Sequence, residues 1–539
     1  MKNTTLLILL SGLVPLQVLA APVAPDGGTI QQSAPVISSD ILPDADIDFS
    51  RPLPATAEDQ GNGRKVKIER VEFSGHTVFS TEQLNQVIEE ELDREHSFIG
   101  LKNLATRITR HYRQMGYLMA TAYLPQQDIS DNVLKVEILE GILGELTVDI
   151  DGRMSADRLR RYFDSLEDKP LTSAQIERKL RLLTDRGVKV QGTFSPGESL
   201  GSTNFNVKAT EQPLLQGNVS VDNKGNRYTN AVRAGTVLQL NDPAGYGGRY
   251  LLSLVSGGAK YRYVALDGDV PIGYDGLAVK FGYSNTHYEL GEEFAALDAE
   301  GKSDNFKVGL HYPWRRSLNS NIYSDINYRL SRFDDETLGT ATSDRKIKSV
   351  DASLFGDFSS PGKRTDWRFK VEAGDVEDKA QNDPTEGGFA KLELSLKHNQ
   401  FVFDKFRVQG SISGQHTNDN LSSAHKFALG GADAVRAYPQ GEGLVDTGIL
   451  SSLEIFYQAN PSWTFSGFVD AGVGDAKKHP SASDTDNTKA LSGIGAAAVF
   501  RHKSLGNLSM TAAWRTDSEA TTAPDRQPRL WLQWTRPFN

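Results

Sequence analysis

Residues 277–284 read Leu-Ala-Val-Lys-Phe-Gly-Tyr-Ser, with a large apolar side chain at every second position. Successive side chains of a β-strand point to opposite faces, so this alternation predicts a strand with one apolar and one polar face. Sixteen such runs occur between residues 213 and 539, and an even number of two-faced strands is typical of a bacterial outer-membrane β-barrel. The runs begin near residues 216, 232, 249, 261, 277, 306, 322, 350, 367, 389, 405, 449, 463, 491, 508 and 529.

Other fold classes explain these runs less well. After residue 20 the sequence has no uninterrupted apolar run of the roughly 18 residues that a membrane-spanning helix needs. A closed barrel is the other structure that satisfies every backbone hydrogen bond in lipid. A secreted sandwich or propeller would also alternate, but sixteen evenly distributed runs separated by loops rich in Gly, Asn and Asp favour the barrel.

The N-terminal segment carries export and linker signals. Lys2, an apolar core at residues 6–14 and the small-residue site Val18-Leu19-Ala20 predict a signal peptide over residues 1–20. Residues 21–64 hold six prolines among Gly, Ser and Asp, a composition that predicts a linker or mobile segment.

Two small domains are predicted between this segment and the barrel. Residues 65–141 show the order β-α-α-β-β, with helical spacing of apolar residues first at 84–92 and again at 101–112. Residues 142–212 repeat the order with different residues. The chain therefore divides into a signal peptide, a linker, two related domains and a barrel over residues 213–539.

Composition excludes several functions. The chain has no Cys, so thiolate metal sites and cysteine nucleophiles are impossible. A net charge of -10 without a long basic block argues against nucleic-acid binding. The sequence also lacks the zinc-binding HExxH motif and the phosphate-binding GxxxxGK[ST] motif. We therefore expect no catalytic residues, no metal and no cofactor.

The longest connection in the barrel is the candidate functional element. If the N-terminal domains lie in the periplasm, odd-numbered runs ascend, and the connection after run eleven, residues 415–448, is extracellular. It contains Val435-Arg436-Ala437-Tyr438 within a stretch richer in Gly and apolar residues than a solvated loop requires. We expect this loop to pack against the lumen wall.

Run thirteen supplies a partner for the loop. Trp463, Phe465 and Val469 belong to its lipid-facing set, so Phe468 and Asp470 face the lumen. Asp470 is then a wall carboxylate near the loop that carries Arg436. An Arg–carboxylate pair in a partly dehydrated lumen can be bidentate and hold a loop in place.

These residues resemble the transporter component of two-partner secretion systems, the ShlB/FhaC/HecB family. The resemblance rests on Val435-Arg436-Ala437-Tyr438, similar to the family's VRGY loop tip, and on Phe468-Val469-Asp470, similar to its (F/G)xD wall motif. Ala437 stands where the family usually has glycine. Members often carry a plug helix before the first POTRA domain, but residues 29–50, with their prolines, are not predicted to be helical.

The resemblance implies two POTRA domains in the periplasm, a sixteen-stranded outer-membrane barrel and a loop locked in the lumen by Arg436 and Asp470. It also implies a cognate secreted exoprotein as partner, contact with outer-membrane lipid, and a monomer without enzymatic activity. An assembly factor of the same superfamily is the alternative, although such factors generally carry more POTRA domains. A barrel-displayed enzyme or adhesin would need a large loop insertion, and a simple porin would lack the N-terminal domains.

Overall fold

The computed structural model describes residues 24–34, 46–47, 54–57, 64–129, 131–167, 169–379, 385–482, 484 and 486–539. The predicted signal peptide, residues 1–20, lies outside the described residues, as does most of the predicted linker. No helix among the described residues combines the length and apolar character needed to cross a membrane.

The first N-terminal domain packs two helices on a small sheet. α2 begins at a capping box in which Ser80 and Gln83 bond reciprocally. The three-stranded sheet has the order β3-β6-β5, and a separate pair joins β2 to β4. The elements of the N-terminal segment and this domain are α1 (Gly27–Gln32), β1 (Asp46–Ile47), β2 (Val66–Ile68), β3 (Arg70–Ser74), α2 (Thr81–Ile88), β4 (Arg94–His96), α3 (Phe98–Gln114), β5 (Thr121–Tyr123) and β6 (Val133–Leu139).

The second domain repeats this architecture, as the sequence predicts. Its sheet has the order β1-β8-β9-β7, so the two-residue strand β1 from the N-terminal segment extends the sheet at the edge of β8. Its own elements are β7 (Ile142–Asp151), α4 (Ala156–Arg160), α5 (Ser173–Thr184), β8 (Val188–Pro196) and β9 (Ser202–Glu211).

The rest of the chain forms one closed antiparallel barrel of sixteen strands in sequence order, which confirms the predicted fold class. The barrel closes where β10 pairs with β27. A short hairpin, β21 (Phe427–Ala428) with β22 (Leu444–Val445), lies in the longest connection. The barrel strands are β10 (Leu215–Asp222), β11 (Arg233–Asn241), β12 (Arg249–Ser256), β13 (Tyr261–Pro271), β14 (Ala278–Glu289), β15 (Glu300–Arg316), β16 (Ser320–Thr337), β17 (Thr340–Ser360), β18 (Lys363–Asp378), β19 (Gly387–Phe403), β20 (Phe406–Thr417), β23 (Thr447–Gln458), β24 (Trp463–Asp475), β25 (Thr488–His502), β26 (Gly506–Arg515) and β27 (Arg529–Phe538).

Predicted and observed strand starts differ most for β15 and β17. These strands begin at residues 300 and 340, whereas their apolar alternation begins near 306 and 350. The added residues are mostly polar or charged and lie at the extracellular end, where the wall rises past the apolar band. Hydrophobic alternation reports the lipid-facing part of a strand, so it misses this extension.

The second domain is held against the periplasmic end of the barrel by ion pairs. The Arg186 guanidinium lies 2.5 Å from the Asp269 carboxylate, and both side chains are largely buried. Two more pairs link the helix α5 region to the turn after β13 and to the last residue of β15. They are Lys179 with Asp275 at 2.6 Å and Asp185 with Arg316 at 2.5 Å. This domain therefore has a defined position below the lumen.

The described start of the chain departs from the prediction of a linker. Residues 27–32 form helix α1 inside the barrel, capped by the Asp26 carboxylate, which accepts a hydrogen bond from the Thr29 amide at 3.0 Å. Ile30 is fully buried in a cluster that includes Tyr228 and Tyr261. The expectation that residues 29–50 are not helical is thus wrong for residues 29–32. A six-residue helix shows no periodicity, and its stability comes from tertiary packing.

Candidate functional site

The connection between β20 and β23, residues 418–446, folds back into the lumen. We call it the lid. Leu429, Val435 and Tyr438 are fully buried, and they pack with Phe468 of β24 and Leu491 of β25. The apolar character of the lid is therefore explained by contact with the inner wall.

Arg436 lies at the tip of the lid and meets Asp470 on the wall. Its Nε and Nη2 atoms each donate to one Asp470 oxygen at 2.9 Å, a bidentate arrangement. The Arg436 amide also donates to Asp470, at 3.2 Å. The Asp470 side chain is 1% exposed and the Arg436 side chain 14% exposed. The structure thus brings together Arg436 and Asp470, the two residues predicted to pair from the sequence.

A second carboxylate shares the Arg436 guanidinium. Nη1 donates to Glu454 Oε2 at 2.8 Å, and Ser452 donates to Asp470 at 2.7 Å. Ser452 and Glu454 lie on β23 opposite Asp470 and Phe468 of β24, so the ladder register places all four around the guanidinium. The Phe468 ring lies 3.3 Å from the guanidinium carbon, a cation–π contact. One cation therefore holds two wall carboxylates and an aromatic face.

The other predicted tip residues pack against the wall. The Ala437 methyl group is accommodated because Gly493 of β25 faces it, and a Cβ on Gly493 would come within 2.6 Å of the Ala437 Cβ. The family motif has its glycine in the loop, whereas in this protein the glycine of the contacting pair is Gly493 on the wall. Tyr438 is fully buried, and its hydroxyl donates to the Ser518 carbonyl at 2.8 Å.

Sequence reasoning missed four residues that also fix the lid. Glu454 faces the lumen by the same alternation as Asp470, so its parity was a usable signal. Trp531 donates to the Arg436 carbonyl at 2.7 Å. Glu442 accepts from the amides and hydroxyls of Thr521 and Thr522 in the next-but-one extracellular loop. The fully buried Asp446 accepts from Lys426 at 2.6 Å. The Trp531 and Glu442 contacts join the lid to residues about eighty or more positions away, the Asp446 contact joins the two ends of the lid, and none of the three has a local sequence signal.

Helix α1 rests on the base of the lid. Gln32 donates to the Ser423 and Lys426 carbonyls at 2.6 and 2.9 Å. Asp26 accepts from the Ser423 hydroxyl at 2.6 Å and forms an ion pair with Arg345 of β17. A Cβ on Gly28 would come within 2.5 Å of the Ala424 amide, so only glycine permits this approach. The lid and α1 occupy the lumen as one packed unit.

One group of described residues is spaced to hold a metal ion. The ligand atoms of His287, Glu289 and Glu300 lie within 4.8 Å of one another. They stand at the extracellular ends of β14 and β15, away from the lid. At the lid tip, by contrast, the Arg436 guanidinium itself neutralises the Asp470 and Glu454 carboxylates. These contacts are suited to holding the loop in place.

We expect the lid and α1 to limit ion flow through the resting barrel. Removing residues 434–443 should raise single-channel conductance in planar bilayers, because it removes the buried tip of the lid. Removing residues 24–34 should also raise it, and the combined deletion should give the largest conductance. Lys346→Ala on the barrel wall should leave conductance unchanged. Conductance equal to wild type in the combined deletion would place both elements outside the ion path.

The comparisons with known proteins agree with this geometry. The family model for haemolysin secretion/activation proteins ShlB/FhaC/HecB matches residues 201–499, more than half of the chain. The chain belongs to the ShlB/FhaC/HecB family. A model for the ShlB-type POTRA domain matches residues 66–141. This family member is therefore an outer-membrane transporter of two-partner secretion, and its POTRA domains lie in the periplasm.

Relatives of this ShlB/FhaC/HecB protein align over most of its length. It is 26% identical over 482 residues to the heme/hemopexin transporter protein HuxB of Haemophilus influenzae strain 86-028NP, covering 85% of this chain and 84% of that protein. It is 24% identical to the outer membrane transporter CdiB of Escherichia coli O6:K15:H31, covering 73% of this chain and 70% of that protein. The structure of CdiB from Escherichia coli superposes with a TM-score of 0.75 at 19% identity, covering 91% of this chain and 94% of that one.

Proposed function

We propose that this transporter exports one cognate exoprotein through its lumen, and that the Arg436–Asp470 pair holds the lid in the resting position. The observation that carries the proposal is the bidentate contact between the lid tip and the buried wall carboxylate. In this assignment residues 65–141 and 142–212 are the POTRA domains and residues 213–539 are the barrel. Arg436 and Asp470 form the lock, Val435, Ala437 and Tyr438 pack the tip, and Phe468 supports the guanidinium.

The POTRA domains capture the exoprotein in extended form by adding a strand to a sheet edge. β1 supports this idea, because Asp46 and Ile47 pair in parallel with Gln191 and Gly192 of β8. That edge can therefore accept an extended segment. The ion pairs between the second domain and the barrel turns hold this edge below the lumen.

Passage requires the lid and α1 to leave the lumen. Folding of the exoprotein outside the cell would then prevent its return and make transport directional. In this proposal the transporter works as a monomer. Its outward face contacts outer-membrane lipid through exposed apolar side chains such as Val469 and Phe465. Neither a cofactor nor a hydrolytic step is part of this proposal.

A strain that lacks this gene tests the proposal against the assembly-factor alternative. The cognate exoprotein should remain in the cells and disappear from the medium, while the levels of other outer-membrane barrels stay unchanged. Re-expression of the full chain should restore secretion. Loss of the other barrels, with the exoprotein still secreted, would contradict export and favour the assembly role.

A further inference from the structure

A cavity of about 780 Å³ lies at the extracellular rim, beside the seam between β10 and β27. The seam ends at Asn223, whose side chain bonds to the backbone of Leu530 and Leu532 at 2.9 and 2.8 Å. The cavity is also lined by the loops after β10 and β26, by the loop before β13 and by the lid residues Pro439 and Gln440. The cavity therefore joins the seam, the lid and the outer surface.

Positive charge dominates the lining of this cavity. Four cationic side chains face a single carboxylate, that of Glu292. Of the cations, Arg227 is paired, with Glu293 at 2.6 Å and Glu292 at 3.5 Å. Lys260, Arg526 and Arg529 form no ion pair with any residue that the structure describes. Three cations without a close carboxylate partner share one cavity, and a bound anion would reduce the repulsion between them.

Of these three cations, Arg529 gives the strongest indication of an anion site. It is half-buried, and its guanidinium donates to the Ala437 and Pro524 carbonyls at 3.3 and 3.5 Å. An arginine partly removed from solvent is normally paired with a carboxylate, because carbonyl dipoles compensate only part of its charge. Its planar fork is suited to a phosphate group, which it can bind with two parallel hydrogen bonds.

The same cavity also has an apolar side. Leu530 and Leu532 line it and are 55% and 48% exposed on the outward face of β27. An amphiphile with a phosphate head and acyl chains would satisfy both sides at once. We propose that this cavity binds the phosphate group of a phosphorylated lipid from the outer leaflet. Because Pro439 and Gln440 border the cavity, a bound lipid would also support the closed lid.

The test is native mass spectrometry of the full-length protein in a non-ionic detergent, titrated separately with diphosphoryl lipid A, a phosphate-free diacylglycerol and inorganic phosphate. The wild-type protein should bind one molecule of lipid A. The double variant Lys260→Ala, Arg526→Ala should bind it roughly tenfold or more weakly, because two charge-assisted contacts are lost. Both side chains lie in surface loops and take no part in the lid lock.

A matched control removes the same charge elsewhere on the extracellular side. The double variant Lys346→Ala, Lys379→Ala should bind lipid A as the wild type does. Equal binding by the cavity variant and the wild type would overturn the site. Equal binding of the diacylglycerol would show an apolar groove without phosphate recognition. Inorganic phosphate that binds as tightly as lipid A would overturn the lipid as the ligand.

Discussion

Deleting residues 65–211 is expected to abolish export while the barrel still reaches the outer membrane. The deletion removes both POTRA domains, and with them the sheet edges proposed to receive the exoprotein. All sixteen barrel strands, the first of which begins at Leu215, lie outside it, as do Arg436 and Asp470. Export is measured as exoprotein in the medium relative to exoprotein in cells, and insertion is measured as heat-modifiable barrel in outer-membrane fractions.

The deletion also breaks the ion pairs between the second domain and the barrel. Asp269 loses Arg186 but keeps Arg249 at 3.2 Å, so its charge stays compensated. A shorter deletion, residues 65–141, leaves these contacts intact and serves as the control for barrel damage. It should insert normally and still fail to export. Normal secretion by the 65–211 variant would defeat the receptor role of the POTRA domains, and normal secretion by the 65–141 variant would restrict that role to the second domain.

Alternation along each strand made most of the fold predictable. It reports which side of the barrel a residue faces, and counting strands fixes which connections are extracellular. These two facts were enough to place Asp470 on the inner wall and Arg436 in the loop above it. Glu454 follows the same rule, yet no loop motif pointed to it, so its share in the Arg436 contact was missed.

What the sequence left open depends on packing between distant segments. Helix α1 is too short to show a periodic pattern, and Ile30 is buried only because aromatic residues of the barrel surround it. Ala437 matched the family motif imperfectly, but the compensating Gly493 lies more than fifty residues away, on another strand. The contact of Glu442 with Thr521 and Thr522 joins two loops whose relation appears only when the barrel closes.

Arg436→Ala is expected to impair export more than Asp470→Ala. Removing Arg436 leaves two wall carboxylates, Asp470 and Glu454, without their cation. Removing Asp470 leaves Arg436 still bound to Glu454 at 2.8 Å. Breaking a buried pair by removing one partner costs on the order of 3–5 kcal/mol, because the remaining charge is uncompensated. The lid should lose its fixed position in both variants, while the barrel ladder, and therefore assembly, stays intact.

The double variant should be little worse than Arg436→Ala alone, because both changes remove the same interaction. Their coupling should exceed the roughly 0–1 kcal/mol typical of exposed ion pairs. Arg436→Lys, which keeps the charge and loses the bidentate geometry, should fall between wild type and Arg436→Ala. Export is followed as secreted against retained exoprotein, with the barrel level checked in outer-membrane fractions.

The chain offers a matched control at the extracellular rim. Lys348 of β17 meets Glu377 of β18 at 2.6 Å, but these side chains are 40% and 43% exposed and lie outside the lumen. Alanine at both of its positions should leave export near the wild-type level, since solvent compensates each charge. If instead the Arg436 and Asp470 defects add strictly, the two residues act separately. The lid would then be held by Glu442, Asp446 and its apolar packing, and the lock assigned to Arg436 and Asp470 would have to be abandoned.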